Sequence, residues 1–138
     1  MELTLLERAR AFFKDDIYAT ETTGITIDDI DCGYAKCSMK ITPAHLNAAN
    51  TVMGGAIYTL ADFAFAVSSN CEKNLTVTLS SQINFLNAPK GTVLTAEASC
   101  HFEGGRTCCY TTQITDDLGT KVALITATGY RTRQPCAF

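Results

Sequence analysis

One carboxylate stands inside the most apolar stretch of this sequence. Asp62 lies in a run over residues 56–67 that is otherwise almost entirely hydrophobic. A charge among apolar neighbours costs several kcal/mol unless another group pairs with it or a reaction uses it. The structural explanation is a hydrogen bond from Asp62 to a buried backbone group or a neighbouring hydroxyl. The chemical explanation is an acid–base role, and the residues upstream favour it.

Two adjacent glycines precede this run, at the expected start of a helix. Gly54 and Gly55 could serve there as a plain turn or packing device. However, the first turn of a helix leaves backbone N–H groups unpaired at the positive end of the helix dipole. Because glycine has no side chain, its N–H can approach a carbonyl closely and hold the negative charge that develops on the oxygen. The two glycines and Asp62 together favour a reaction site.

The spacing of these groups predicts that the site needs two copies of the chain. Asp62 follows Gly55 by seven residues and Gly54 by eight, so all three lie on roughly one side of a helix. Two turns still separate them by about 10–12 Å along the axis. A second helix running antiparallel beside the first would bring Asp62 to the carbonyl held at Gly54. We therefore expect a dimer with its sites at the subunit boundary.

The rest of the sequence predicts the elements that hold this helix. Helical periodicity covers residues 2–14 and 53–70, and the second segment is apolar enough to be buried on most sides. A hairpin with its turn at residues 31–33 lies between them. Alternating strands follow at 75–86, 92–103, 106–116 and 120–133; in the second, one face carries Leu94, Ala96, Ala98, Cys100 and Phe102. Since the apolar face of such a sheet needs cover, we expect an α+β fold, one domain over residues 1–138, with an antiparallel sheet wrapped around the long helix.

Composition and charge exclude several classes of function. A formal net charge of −3 argues against nucleic-acid binding, which usually requires a basic patch. No segment reaches the roughly 18 uninterrupted apolar residues of a membrane span. The first 16 residues carry acids and bases throughout, unlike a secretory signal. We expect a cytoplasmic protein with no nucleic-acid or membrane partner.

The seven cysteines predict neither a disulfide framework nor a metal site. Their number is odd, no C-x-x-C pair occurs, and neither histidine stands at zinc-finger spacing from a cysteine. We expect reduced, mostly buried thiols that act as small hydrophobic side chains and are not needed for catalysis. They are Cys32, Cys37, Cys71, Cys100, Cys108, Cys109 and Cys136.

The segment over residues 45–62 resembles a motif of the hotdog-fold acyl-CoA thioesterases of the phenylacetate-degradation type. The family pattern is roughly H-x-N-x-x-G-x-x-H-G-G-x-x-x-x-x-x-D, and this chain has "HLNAANTVMGGAIYTLAD". The strand "TVTLSSQINFLNAP" and the turn "GRT" also resemble the family, so the likeness covers nearly the whole chain. It implies a hotdog fold, in which a curved antiparallel sheet wraps a central helix, with an N-terminal helix. It also implies a homo-oligomer, either a dimer or a dimer of dimers (a homotetramer).

The resemblance implies hydrolysis of a small or medium acyl-CoA, aromatic or aliphatic, to free acid and coenzyme A. Asp62 would be the catalytic carboxylate, acting either as general base on a water or as the nucleophile. The N–H of Gly54 would polarise the thioester carbonyl. Asn47 would position the water or the carbonyl, and Thr78 would lie near the reacting group. No cofactor is implied beyond the coenzyme A of the substrate. The residues that would line its channel, with Lys90 and Arg106 as phosphate partners, are Leu86, Asn87, Lys90, Gly91, Gly104, Gly105, Arg106 and Thr107.

Two positions depart from the family pattern. Asn50 replaces a glycine, a mild change because asparagine tolerates positive φ. Met53 replaces the histidine before the two glycines, so an imidazole is missing from the site. This leaves a non-catalytic acyl-CoA-binding dimer as the alternative to a thioesterase. A hotdog dehydratase is a weaker third, since that chemistry uses the histidine that this helix start lacks.

Overall fold

The computed structural model of the protein describes residues 2–136 and 138, which form two helices and six strands joined by short turns. A capping box formed by Thr4 and Glu7 starts the first helix, so that it begins later than the periodicity predicts. The elements in chain order are α1 (Leu5–Phe13), a π-helical turn (Tyr18–Thr22), β1 (Ile25–Asp31), β2 (Tyr34–Lys40), a 3-10 turn (Pro43–His45), α2 (Gly54–Asn70), β3 (Asn74–Phe85), β4 (Val93–Glu103), β5 (Thr107–Asp116) and β6 (Lys121–Pro135).

The six strands form one antiparallel sheet in the order β1-β2-β4-β5-β6-β3. The sheet packs against α2, of whose 17 residues ten are buried. This burial explains the nearly all-round apolar sequence of the helix, since the sheet covers most of its circumference. The predicted α+β architecture and the predicted long helix are confirmed.

The hairpin of β1 and β2 turns at Cys32 and Gly33, as the sequence predicts. Asp31 pairs with Tyr34, which leaves a two-residue turn, and Gly33 has a φ of +82°. A positive φ suits glycine because an L side chain rarely adopts it. The hairpin brings the Cys32 side chain next to the C-terminal end of α2.

The prediction for one face of β4 is wrong at its end. Leu94, Ala96 and Ala98 are buried, but Cys100 and Phe102 are exposed. All residues from 99 to 103 are exposed, so this end of the strand lies outside the core. The pairing of β4 with β5 also shifts register between Cys100 and Phe102, which places an extra residue there. Strict alternation therefore describes only the first two thirds of this strand.

Within residues 2–136 and 138, no helix is both long enough and apolar enough to cross a membrane.

Candidate active site

The entry into α2 is held by a buried histidine. Nε2 of His45 donates to the carbonyl of Thr23 at 2.7 Å, and Nδ1 accepts from the N–H of Thr42 at 3.0 Å. These bonds require the neutral tautomer with hydrogen on Nε2. The carbonyl of His45 in turn accepts from the N–H of Met53 at 2.8 Å. His45 thus fixes the residue from which the helix starts, a role that the sequence motif did not reveal.

Asn47 shapes the loop before α2 through its side-chain oxygen. Oδ1 accepts hydrogen bonds from the N–H groups of Ala49 at 3.0 Å and Thr51 at 3.1 Å, and from the Thr51 hydroxyl at 3.1 Å. Asn50 takes a positive φ of 62° in the same loop, in agreement with the expected tolerance of asparagine. Because its oxygen is engaged in the loop, Asn47 has its amide NH₂ left for a substrate or water.

The first turn of α2 presents unpaired N–H groups. Met53 is the N-cap but offers no side-chain hydrogen bond, and its carbonyl accepts from Ala56 at 3.0 Å and Ile57 at 3.3 Å. Within residues 2–136 and 138, the N–H groups of Gly54 and Gly55 have no hydrogen-bond acceptor. These two donors at the positive end of a 17-residue helix are suited to polarise a carbonyl oxygen.

A cavity of about 340 Å³ opens beside these donors. It is lined by Gly54, by the end of β3 and by the following loop, including Leu86, Asn87 and Pro89. A Cβ on Gly54 would lie 3.0 Å from Cζ of Phe85, so this ring closes over the helix start. The structure thus brings Leu86 and Asn87 to the glycines. It also adds Phe85, which lies in the strand predicted over residues 75–86 but is not one of the predicted site residues.

Lys90 and Gly91 lie in the same loop but do not line this cavity. Their N–H groups donate to Oδ2 of Asp116 at 2.8 and 2.9 Å. Burial alone would raise the pKa of Asp116, but backbone hydrogen bonds from Gly91, Lys90 and Thr120 outweigh it and hold that pKa well below the usual range. A Cβ on Gly91 would collide with the Asp117 carboxylate. Gly91 therefore has a packing role, and only the Lys90 side chain is free to contact a ligand.

The turn at residues 104–107 lies at the other end of the sheet. β4 spans 11 residues from the loop beside Gly54 to this turn, a distance of about 33 Å at 3.3 Å per residue. Arg106 and Gly105 line a separate cavity of about 430 Å³ together with Lys73 and Arg133. The two sets of residues expected to line one coenzyme A channel are thus far apart in a single protomer.

Asp62 is the exposed member of an otherwise buried stretch of α2. Its neighbours Ala61 and Phe63 are 1% and 2% exposed, whereas Asp62 reaches solvent. Desolvation by the surrounding protein, followed by repulsion from the Asp16 carboxylate, raises the pKa of Asp62 above the ordinary carboxyl value. A raised pKa brings a carboxylate closer to the range in which it accepts protons effectively.

The structure does not join Asp62 to the glycines within one chain. Along α2, eight residues separate Asp62 from Gly54, which is about 12 Å. Among the residues that the structure describes, no hydrogen bond links the Asp62 carboxylate with Gly54, Asn47 or Thr78. One protomer therefore holds the carbonyl-binding donors and the carboxylate as two separate groups.

Thr78 lies on β3 at the edge of the sheet. It is two residues after Thr76, whose side chain is buried, so both share one face of the strand. The pairing with β6 shifts register between Thr78 and Ser80, which makes Leu79 an extra residue in the edge strand. Thr78 and Leu79 are both exposed.

Among the described residues of the single chain, one face of α2 and the β3 edge of the sheet lack a partner. Gly55, Thr59, Asp62 and Ala66 recur at helical spacing, and all four escape full burial, unlike the residues between them that face the sheet. β3 is an edge strand, and its exposed apolar side chains are Val77, Leu79 and Phe85, at 44%, 59% and 54%. Long apolar edges are the places where another strand adds to a sheet.

Comparison with known proteins identifies the family. The model described as the thioesterase superfamily matches residues 49–123, more than half of the chain. This chain belongs to the thioesterase superfamily. The match begins in the loop before α2 and ends in β6, so it includes both glycines and Asp62.

Relatives of this superfamily member include the acyl-coenzyme A thioesterase PaaI of Escherichia coli K12. The two are 32% identical over 126 residues, which are 91% of this chain and 89% of that protein. A structure of the E. coli PaaI protein superposes with a TM-score of 0.87 over 97% of this chain and 100% of that one, at 27% identity. A structure described as a hypothetical thioesterase protein with coenzyme A, from Streptococcus pneumoniae TIGR4, has a TM-score of 0.79 at 29% identity, over 90% and 99% of the two chains. The fold is the hotdog fold that the motif predicts.

Proposed function

We propose that this thioesterase-superfamily protein is an acyl-CoA thioesterase that hydrolyses a small or medium acyl-CoA to free acid and coenzyme A. The observation that carries the proposal is the pair of unpaired N–H groups at Gly54 and Gly55 beside a cavity of about 340 Å³. Such a site accepts a thioester carbonyl and stabilises the oxyanion that forms when water attacks it. Supporting this, E. coli PaaI is named an acyl-CoA thioesterase, and the pneumococcal relative holds coenzyme A.

In the proposed reaction the Gly54 N–H holds the thioester oxygen while Asp62 removes a proton from the attacking water. The tetrahedral intermediate then collapses, and coenzyme A leaves as the thiolate. The amide NH₂ of Asn47 positions the water or the carbonyl, and the Thr78 hydroxyl contacts the reacting group. In this proposal the reacting groups come from the protein and from water, and the coenzyme A is part of the substrate.

Two further structures of the pneumococcal thioesterase support the roles of Asp62 and Thr78. In one structure an aspartate is replaced by alanine, and in the other a threonine is replaced by alanine. Those two positions are sixteen residues apart, as Asp62 and Thr78 are here. A structure of the PaaI protein from Thermus thermophilus carries an asparagine changed to aspartate. We take the aspartate and the threonine of the pneumococcal protein as the counterparts of the carboxylate and the hydroxyl assigned to this site.

The active form that we propose is a homodimer, or a dimer of dimers. Antiparallel packing of two α2 helices through the face at Gly55, Thr59, Asp62 and Ala66 would bring Asp62 of one copy to the Gly54 donors of the other. Pairing of the exposed β3 edges would bury Val77 and Leu79. The same arrangement brings the turn at residues 104–107 of one copy toward the cavity of the other, so that Arg106 and Lys90 can bind phosphate in one channel.

We place this reaction in a single-domain cytoplasmic enzyme. The main hydrophobic cluster includes residues from α1, α2 and five of the six strands, so the described part of the chain shares one core. The seven cysteines are free thiols, as is usual in a reducing compartment.

The direct test is release of coenzyme A from a panel of aliphatic and aromatic acyl-CoAs, followed with a thiol reagent. The expected result is turnover on at least one short or medium substrate, with the free acid appearing in equal amount. Binding of acyl-CoA without any turnover across the panel would replace the proposal with the acyl-CoA-binding alternative.

Met53→His should raise turnover by about five- to tenfold. Met53 is 56% exposed beside the glycines, and its thioether donates no hydrogen bond. One added hydrogen bond to the carbonyl or its water is worth on the order of 1 kcal/mol. Assaying both proteins on the same panel checks this, and Met53→Leu serves as a control without a donor. A wild type inert on every thioester, with activity only in Met53→His, would contradict the thioesterase assignment.

Leu79→Lys should shift the protein to monomers and lower turnover at least tenfold. A lysine on an exposed strand edge opposes pairing with a second strand. The matched control is Leu118→Lys, since Leu118 is 69% exposed in the turn between β5 and β6. Light scattering and CoA release measured on the same samples check this. A Leu79→Lys monomer with full activity would rule out the shared site.

Turnover should fall on acidification at a higher pH than an ordinary carboxyl would give. Asp62 must be ionised to accept the proton of water, and its pKa is raised. The acidic limb of the kcat profile should therefore lie above the usual aspartate range. Asp16→Asn removes the nearby repulsion, so it should move that limb to lower pH. An acidic limb of the wild type that lies within the ordinary aspartate range would contradict the assignment of Asp62 as the base.

A further inference from the structure

Two thiols meet where the β1–β2 hairpin touches the C-terminal end of α2. Cys32 occupies the turn of the hairpin, and Cys71 follows the last residue of the helix. Their Sγ atoms are 2.8 Å apart. The Gly33 N–H donates to the carbonyl of Ser68 at 3.3 Å, so the hairpin turn is held against the helix end by the backbone as well.

The two thiols differ in their access to solvent. Cys32 is exposed, and Cys71 is buried. Burial, followed by the hydrogen bond to Cys32 and the nearby negative charges, raises the pKa of Cys71 to about 12. A dissolved oxidant therefore meets Cys32 first, and Cys71 stands directly behind it as the second thiol.

The pair lies away from the carbonyl-binding end of the site proposed for thioester hydrolysis. Cys71 is nine residues beyond Asp62 along the chain, and α2 places it at the opposite end from Gly54. At 1.5 Å per residue the 17-residue helix puts about 25 Å between its two ends. A covalent change at the pair leaves the carbonyl-binding donors untouched.

We propose that Cys32 and Cys71 form a reversible disulfide when the protein meets a thiol oxidant, with hydrogen peroxide as the reagent class. The Cys32 sulfur attacks one peroxide oxygen, which yields a sulfenic acid and one water. The Cys71 sulfur then attacks the Cys32 sulfur and displaces the hydroxyl, which takes the Cys71 proton and leaves as a second water. Two thiols lose two electrons, and one peroxide gains them. A dithiol reductant reverses the change.

The bond would join the hairpin turn to the helix end across 39 residues of sequence. Closing a loop of this length restricts the unfolded chain, which stabilises the folded protein in the chain-entropy model. We expect the midpoint of thermal unfolding to rise by about 10 °C in the oxidised protein. Turnover should stay within about twofold of the reduced protein, because Gly54 lies at the other end of α2 and Asp62 lies about 13 Å along the helix axis from Cys71.

The test treats the whole protein with a small excess of hydrogen peroxide and analyses it by non-reducing peptide mass mapping. The expected product is a single Cys32–Cys71 cross-link, with a loss of two hydrogens and a raised unfolding midpoint that a dithiol restores. Cys32→Ser, at an exposed position, should fold and show neither change. Cys100→Ser removes another exposed thiol and should behave as wild type. These two variants carry the test even where Cys71→Ser does not fold.

Three outcomes would overturn the proposal. One is oxidation of Cys32 to sulfinic acid without any cross-link to Cys71. Another is a cross-link that joins Cys32 to a different cysteine. The third is a midpoint shift that persists in Cys32→Ser.

Discussion

Replacing Asp62 with asparagine should lower the turnover of acyl-CoA by at least about a hundredfold, the usual effect of removing a positioned acid–base group. Asparagine has nearly the same shape but cannot take a proton from water. Because Asp62 is assigned to the reaction and not to holding coenzyme A, KM should change by less than kcat. Steady-state kinetics of the two proteins on one substrate check this. Wild-type kcat in the variant would mean that another group is the base.

A stability measurement separates this effect from misfolding. A carboxyl whose pKa is higher in the folded state than in the unfolded state favours folding when protonated. That contribution is complete below the unfolded pKa and is lost as the pH rises through the folded pKa. At neutral pH the ionised and partly desolvated Asp62 is therefore less favourable to folding than its protonated form. Asp62→Asn should unfold at the same temperature as wild type or higher, while its activity is lost.

Gly54→Pro should lower kcat by about a hundred- to a thousandfold, the effect of losing one oxyanion donor. Proline lacks the N–H that we assign to the carbonyl. The backbone suits it, because Gly54 is the first residue of α2, where proline is favoured. The preceding Met53 already has the extended conformation that proline imposes, with φ −61° and ψ 135°.

Gly54→Ala is the matched control for this substitution. Its Cβ meets the Phe85 ring at the same 3.0 Å as the proline Cβ, but it keeps the N–H. Because the ring is 54% exposed, it can move aside, so the alanine variant should lose far less activity. Equal losses in the two variants would assign the effect to the displaced ring and not to the missing donor.

The repeating patterns of the sequence account for most of the fold. Regular spacing of apolar residues located α2 and all six strands, because periodicity depends on which side of an element is buried. The end of β4 escaped this logic, since residues 99–103 are all exposed although the apolar alternation continues through Cys100 and Phe102. The N-cap at Thr4 has a recognisable sequence signal, Thr-x-x-Glu. Helical periodicity alone does not include this signal, so it predicts too early a start for α1.

The sequence predicted only the part of the candidate site that lies on one helix, because helix geometry fixes the spacing of the reactive residues there. The offset of Gly54 and Asp62 followed from the rise of a helix. The contacts of Lys90 and Gly91 with Asp116 could not be predicted, because they join residues about 25 positions apart across a turn. The Cys32–Cys71 contact spans 39 positions, and no spacing rule for cysteines reveals it. Such long-range pairs follow from the packing of the whole sheet on α2.

The most direct test of the shared site mixes two inactive proteins. Asp62→Asn and Gly54→Pro are refolded together at equal amounts, so that mixed dimers form. A mixed dimer has one site with both Gly54 and Asp62 intact, contributed by different subunits. With random pairing in a two-fold symmetric dimer, turnover should return to about a quarter of the wild-type value. If the mixture is no more active than its separate components, each site lies within one chain and the account is contradicted.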